Sequence, residues 1–274
     1  MSYPPTPDTA RSCNSVPRIS QNRAEPARLP SALGYSGIVD ESGALHSVVE
    51  HVMTYAFGVL CVVNFYLAAR EFGWGTLIAA VIVGGLVAWM LADFVSGLIH
   101  WFADTYGSEN MPLFGPWLIK PFRQHHLYPR DICTHDLVLT IGNSCTIAMP
   151  FESGLLYLML SDEEVTFTQA LVAFVLNLFA MAVVATNLFH RWAHAEKTSW
   201  LILRLQRSGL LLSTAHHDLH HTSPFDSNYC ITNGWLNPLL EKARFFRRVE
   251  SMLSIVGIKP NAGEYQPVRP ASDL

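Results

Sequence analysis

Four long apolar stretches set the rhythm of the chain: His51–Ala69, Gly75–Phe102, Leu137–Leu160 and Val165–Phe189. Each approaches or exceeds the ~20 residues that a helix needs to cross about 30 Å of hydrocarbon. The third is interrupted by Gly142, Asn143, Pro150, Glu152 and Gly154. A helix that is apolar all round belongs in a large soluble core or in lipid, and four such stretches exceed what a soluble core of this length needs. The pattern predicts an all-α polytopic membrane protein with four transmembrane helices.

The polar intervals orient the spans. Arg11, Arg18, Arg23 and Arg28 precede the first, Lys120, Arg123 and Arg130 lie between the second and third, and Arg191, Lys197, Arg204 and Arg207 follow the fourth. The other two connections carry Arg70-Glu71 and Ser161-Asp162-Glu163-Glu164. The excess of base places both termini and the loop 103–136 in the cytoplasm. Arg204, Gln206 and Arg207 among Leu201, Leu203, Leu205 and Leu210–Leu212 predict an interfacial helix.

Composition agrees with a membrane protein. Half of the 274 residues are apolar and 15% are charged, against about a quarter in soluble domains. The formal net charge of −4 implies no global attraction to nucleic acid. Five scattered cysteines, with no CxxC, read as free thiols and not as a disulfide scaffold. Residues 1–47 are rich in Pro, Ser and Arg and lack an apolar signal core, so they are expected as a disordered segment. A catalytic domain over 48–250 and a tail over 251–274 complete the expected organisation.

Ten of the twelve histidines fall between His100 and His221: His100, His125, His126, His135, His190, His194, His216, His217, His220 and His221. The topology, drawn without them, puts all ten on the cytoplasmic face. Positions four apart share one face of a helix, which pairs His190 with His194, His216 with His220, and His217 with His221. His100 and Asp104 have the same spacing, with Asp104 either a ligand or an acceptor that orients an imidazole. So many imidazoles without a neighbouring cysteine pair exceed the four ligands of a structural zinc. Two metal ions fit better. Imidazole suits zinc, copper, nickel and iron, and a redox metal explains a site set against lipid, so two iron ions are expected. Such a pair can activate O2 and remove hydrogen from an unactivated C–H bond.

The segments carrying these residues resemble the plasmanylethanolamine desaturase family, the Kua or CarF-type lipid desaturases. They are DFVSGLIHWFADTYGS (Asp93–Ser108), PFRQHH (Pro121–His126), THD (Thr134–Asp136), NLFHRWAH (Asn187–His194), HHDLHH (His216–His221) and YCITNGWLN (Tyr229–Asn237). They occur in the family's order, between about Leu91 and Glu250. The resemblance implies an enzyme of the endoplasmic reticulum or bacterial inner membrane that converts the 1-O-alkyl chain of an ether phospholipid to the vinyl ether of a plasmalogen. It implies O2 as co-substrate and electrons from a carrier of the cytochrome b5 or ferredoxin type. It carries the family's histidines onto the ten named above and its aspartate onto Asp104. Lys120 and Arg123 are candidates for the lipid head group. A plant branch of the superfamily desaturates an acyl chain of phosphatidylglycerol instead. A di-iron lipid hydroxylase would share the ligands. A metal transporter or membrane regulator is the non-enzyme alternative, but histidines on one face do not line a permeation path.

Overall fold

The computed structural model describes residues 41–112, 114–161 and 164–261. Most of the expected N-terminal segment (1–40) and the end of the expected tail (262–274) lie outside the described residues. Every regular element among the described residues is helical.

Four long rods form the body. Helix α1 spans Glu41–Ala69. After a short turn, α2 (Trp74–Ala79), a π-helical stretch (Ala80–Gly84) and α3 (Gly85–Thr105) run on as one rod. A further π-helical stretch (Gly115–Ile119) leads into α4 (Lys120–Leu127). Helices α5 (Leu137–Ser161) and α6 (Phe167–His194) supply the third and fourth rods. The start of α6 follows from a capping box: Gln169 N–H donates to Thr166 Oγ1 and Thr166 N–H to Gln169 Oε1, satisfying two otherwise orphaned donors. Four shorter helices follow among the described residues: α7 (Trp200–Arg207), α8 (Thr214–His220), α9 (Asn237–Lys242) and α10 (Phe245–Ile255). Helix α7 stands where the interfacial helix is expected, with Trp200, Leu201 and Leu203 exposed.

The rods pack through small side chains, which let helix axes approach where lipid provides no hydrophobic drive. Ala68, Ala80, Ala170 and Ala173 surround Phe174 and Met159 in one cluster; Cys61, Cys145 and Ala180 meet Phe57 and Val184 in another. Large apolar side chains point outward instead. Val52, Val59, Val62, Ile78, Ile82, Leu86, Ile147 and Leu158 are all exposed, the reverse of a soluble core.

Among the described residues, three helical segments are long and apolar enough to cross a membrane: Leu45–Ala69, Trp74–Thr105 and Phe167–His194. The sequence reading expected four. Helix α5 has the length, at 25 residues, but Thr140, Gly142, Asn143, Ser144 and Thr146 dilute its first half. Its Glu152 is buried and accepts from Asn64 Nδ2 at 2.7 Å. The helix therefore shows polar partnerships with the bundle and not a uniformly apolar surface.

Beyond the rods, α4 and α7–α10 form a cap over the end where α3 and α6 finish. Trp101 of α3, Tyr229, Cys230, Leu240 and Phe246 make the cluster that ties the two together.

Candidate metal centre

Eight of the ten histidines named from the sequence reach the site, each by a traceable route. His100 lies near the last turn of α3, and His190 and His194 in the last two turns of α6. His125 and His126 end α4. Helix α8 begins where Ser213 Oγ accepts from His216 N–H at 3.2 Å, a serine N-cap. That start fixes the direction in which His217, His220 and His221 project.

Two adjacent groups result. His125, His190, His194, His217 and His221 place one ring nitrogen each so that all lie within 4.8 Å of one another; one ring nitrogen each of His100, His126 and His220 and a carboxylate oxygen of Asp104 do likewise. In the first, His194 Nε2 is 3.3 Å from His190 Nε2, and His221 Nε2 is 3.2 Å from His125 Nε2 and 3.1 Å from His217 Nε2. In the second, Asp104 Oδ2 lies 3.1 Å from His126 Nε2, 3.4 Å from His100 Nε2 and 3.6 Å from His220 Nε2. The groups touch through His220 and His126, whose Nε2 atoms are 3.4 Å apart.

Hydrogen bonding alone does not explain this convergence. A neutral imidazole carries one N–H, so each Nε2 either donates or accepts. On two of the rings the proton is held at the other nitrogen. His100 Nδ1 faces the Tyr229 carbonyl at 3.2 Å and His220 Nδ1 the Ser227 carbonyl at 2.8 Å. A carbonyl only accepts, so Nδ1 carries the hydrogen and Nε2 presents a bare lone pair. Ligands bound at about 2.1 Å at right angles on one ion stand about 3 Å apart, which matches the spacings observed. The donor set fits two metal ions.

The electrostatics favour the ligand form. Burial, then the neighbouring imidazoles, hold His125 and His217 well below the ordinary histidine range. Burial brings His220 to about 4, although Asp104 pulls the other way. Burial with His194 and His126 brings His221 to about 2. At neutral pH these rings are uncharged and able to ligate.

The remaining residues named from the sequence stand elsewhere. His135 sits on the turn before α5, partly exposed, with Nε2 4.0 Å from Asp131. His216 Nε2 meets Asn237 Nδ2 at 2.9 Å. Lys120 is exposed at the start of α4. The Arg123 guanidinium is buried and donates to the Gly107 carbonyl. The spacing that pairs His216 with His220 does not put them on one group, because His220 turns toward Asp104.

Two residues to which the sequence reading gave no role hold the cap in place. Asp93, fully buried in α3, accepts four backbone hydrogen bonds. Its Oδ1 takes Thr232, Asn233 and Gly234 N–H at 3.2, 3.0 and 2.9 Å; its Oδ2 takes Leu236 N–H at 3.1 Å. Asn237 Oδ1 accepts from Cys230 N–H at 2.8 Å and its Nδ2 donates to Cys230 O at 2.9 Å. The amide orientation is thereby set, so Asn237 presents a donor to His216. The approach is close at both ends. A Cβ on Gly97 would stand 2.5 Å from Cys230 Sγ, and one on Gly234, which has φ +78°, 2.7 Å from His216 Nε2. A carboxylate in the middle of an apolar stretch is the signal that could have found Asp93.

The lipid desaturase domain family matches residues 89–263. A plasmanylethanolamine desaturase of Myxococcus xanthus is 40% identical over 188 residues, covering 66% of this chain and 64% of the relative. The chain thus aligns with a little under two thirds of that protein's length. Plasmanylethanolamine desaturase 1 of Mus musculus is 33% identical over 235 residues, 82% of this chain and 85% of the relative. The chloroplastic fatty acid desaturase 4-like 2 of Arabidopsis thaliana is 32% identical over 187 residues, 66% of this chain and 62% of the relative. No solved structure matches the chain.

Proposed function

The chain belongs to the lipid desaturase family, and from that premise we propose that it desaturates the 1-O-alkyl chain of an ether phospholipid. The observation that carries the reading is the pair of touching donor groups, five imidazoles beside three imidazoles and Asp104, at one end of an apolar bundle. Two irons bound there would supply the activation of O2 that removal of hydrogen from a saturated chain requires. The balance is one O2, two electrons and two protons consumed per alkyl unit, giving the vinyl ether and two waters. The electrons come from an external carrier of the cytochrome b5 or ferredoxin type.

The chain's own residues position and shield. Tyr229 O and Ser227 O hold the His100 and His220 rings by their Nδ1–H groups. Such outer contacts fix ring orientation and raise ligand basicity. The Asp104 carboxylate supplies negative charge among neutral donors. Phe122 and Tyr229 pack on His100, and Phe225 on His126, which keeps water from the second group. The oxygen of the substrate ether favours oxidation of the adjacent carbon, because it stabilises electron deficiency there.

We place α5 as a further span, third in chain order, since it shares the buried clusters of α1 and α6. The cap and both termini are assigned to the cytoplasmic side by the basic loops, in the endoplasmic reticulum or a bacterial inner membrane. The ether substrate is preferred because the bacterial and mouse relatives bear its name and the ether oxygen lowers the cost of the oxidation.

Cells expressing the chain and fed an alkylglycerol should accumulate phospholipids lighter by two hydrogens that release aldehyde in mild acid. Unchanged ether lipids with a new double bond in an acyl chain of phosphatidylglycerol would overturn the substrate. A gain of oxygen would replace desaturation by hydroxylation.

A further inference from the structure

Of the head-group candidates named from the sequence, Lys120 is exposed at the start of α4. The Arg123 guanidinium is turned inward onto the Gly107 carbonyl. Another site has the required chemistry. An open cleft of about 520 Å3 lies between the end of α6, the start of α7 and the turn around Arg130 and Cys133. Arg130, Arg191 and Lys197 line it, together with His194 and Glu196.

Five observations bear on its occupant. His194 belongs both to this wall and to the five-imidazole group, so the cleft adjoins the metal centre. Its charge is mixed, with three cations and one carboxylate. Arg130 pairs with Glu196 across the cleft mouth, and such exposed pairs are weak enough to open. Thr198 also lines the cleft, and its Oγ1 is buried without a hydrogen-bond partner; a buried hydroxyl ordinarily has one. The adjoining α7 exposes Trp200, Leu201 and Leu203, a surface suited to the head-group layer of a membrane.

Substrate geometry sets the distance. In a 1-O-alkyl phospholipid the first alkyl carbon is six bonds from phosphorus. With bonds of about 1.5 Å and a zigzag path, that is a reach of about 7–8 Å. The phosphate must therefore lie beside the metal centre, as this cleft does.

We infer that the cleft bounded by Arg130, Arg191, Lys197 and Glu196 binds the phosphoethanolamine head group of the membrane phospholipid substrate. The two arginines and Lys197 take the phosphate, Thr198 donates its hydroxyl, and Glu196 exchanges Arg130 for the ammonium. Planar guanidinium forks suit phosphate oxygens. The inference rests on the ether-lipid reading above.

The test uses the iron-loaded full chain in detergent and three probes measured by calorimetry. These are a short-chain 1-O-alkyl-2-acylglycerophosphoethanolamine, the matching alkylacylglycerol without phosphate, and inorganic phosphate. The double reversal Arg130→Glu with Lys197→Glu should weaken the phospholipid at least about 10-fold, a loss of about 1.4 kcal/mol. It should leave the neutral lipid and the iron content unchanged. The milder Lys197→Gln, at an exposed side chain, should raise KM several-fold with kcat retained. Glu196→Gln should narrow the preference for ethanolamine over a glycerol head group. Wild-type phospholipid affinity in both cation variants would overturn the site, as would inorganic phosphate binding as tightly as the lipid. Loss of binding in the variants, with no vinyl ether formed by wild type, would uphold the site and overturn the activity.

Discussion

Asp93→Asn isolates the joint between the membrane helices and the cap. The carboxylate is fully buried and serves four backbone N–H groups, three on Oδ1 and one on Oδ2. The asparagine oxygen can still serve the three. Its NH2 then faces Leu236 N–H, donor against donor. One charge-assisted bond, at about 1.5–3 kcal/mol, is lost, and three fall toward neutral strength at about 1 kcal/mol less each. Relief of the buried charge offsets part of this, leaving about 3–5 kcal/mol. For a domain of this size that lowers Tm by on the order of 10 °C. The segment 229–237 should yield first, since it is the part Asp93 holds, and its release frees Asn237 from His216. Thermal unfolding in detergent and limited proteolysis of that segment are the assays. If Asp93→Asn melts within about 2 °C of wild type and its 229–237 segment stays protected, the joint is not held as described.

Two further outcomes follow from the site. His217→Ala and His221→Ala should abolish vinyl-ether formation and lower bound iron, whereas His135→Ala, outside both donor groups, should keep its iron; equal iron loss in all three would contradict the grouping. In the metal-free protein His220 and His221 titrate at about 4 and about 2, below the unfolded value near 6.5. The unfolded chain therefore binds more protons between these values. The stability contribution is full above about pH 6.5 and is lost as pH falls toward 4. Melting temperature should drop over that window, and an acid-insensitive melt would show the rings to be solvated.

Much of this was legible in the chain because local rules govern it. Apolar runs marked all four rods. The i,i+4 rule put His190 with His194 and His217 with His221. It failed for His216 and His220, because spacing says which face two residues share but not what stands opposite. Here Asn237 meets one ring and Asp104 the other. Asp93 went unassigned because its partners are backbone groups some 140 positions away, which leave no side-chain pattern. The charged cleft was hidden for the same reason: Arg130 and Lys197 come together only when the turn before α5 folds against the end of α6.

The central claim is that the two donor groups hold a pair of irons. Metal analysis of the anaerobically purified chain tests it most directly. The account predicts about two iron atoms per chain. One zinc per chain with no iron, together with activity indifferent to iron chelation, would contradict it.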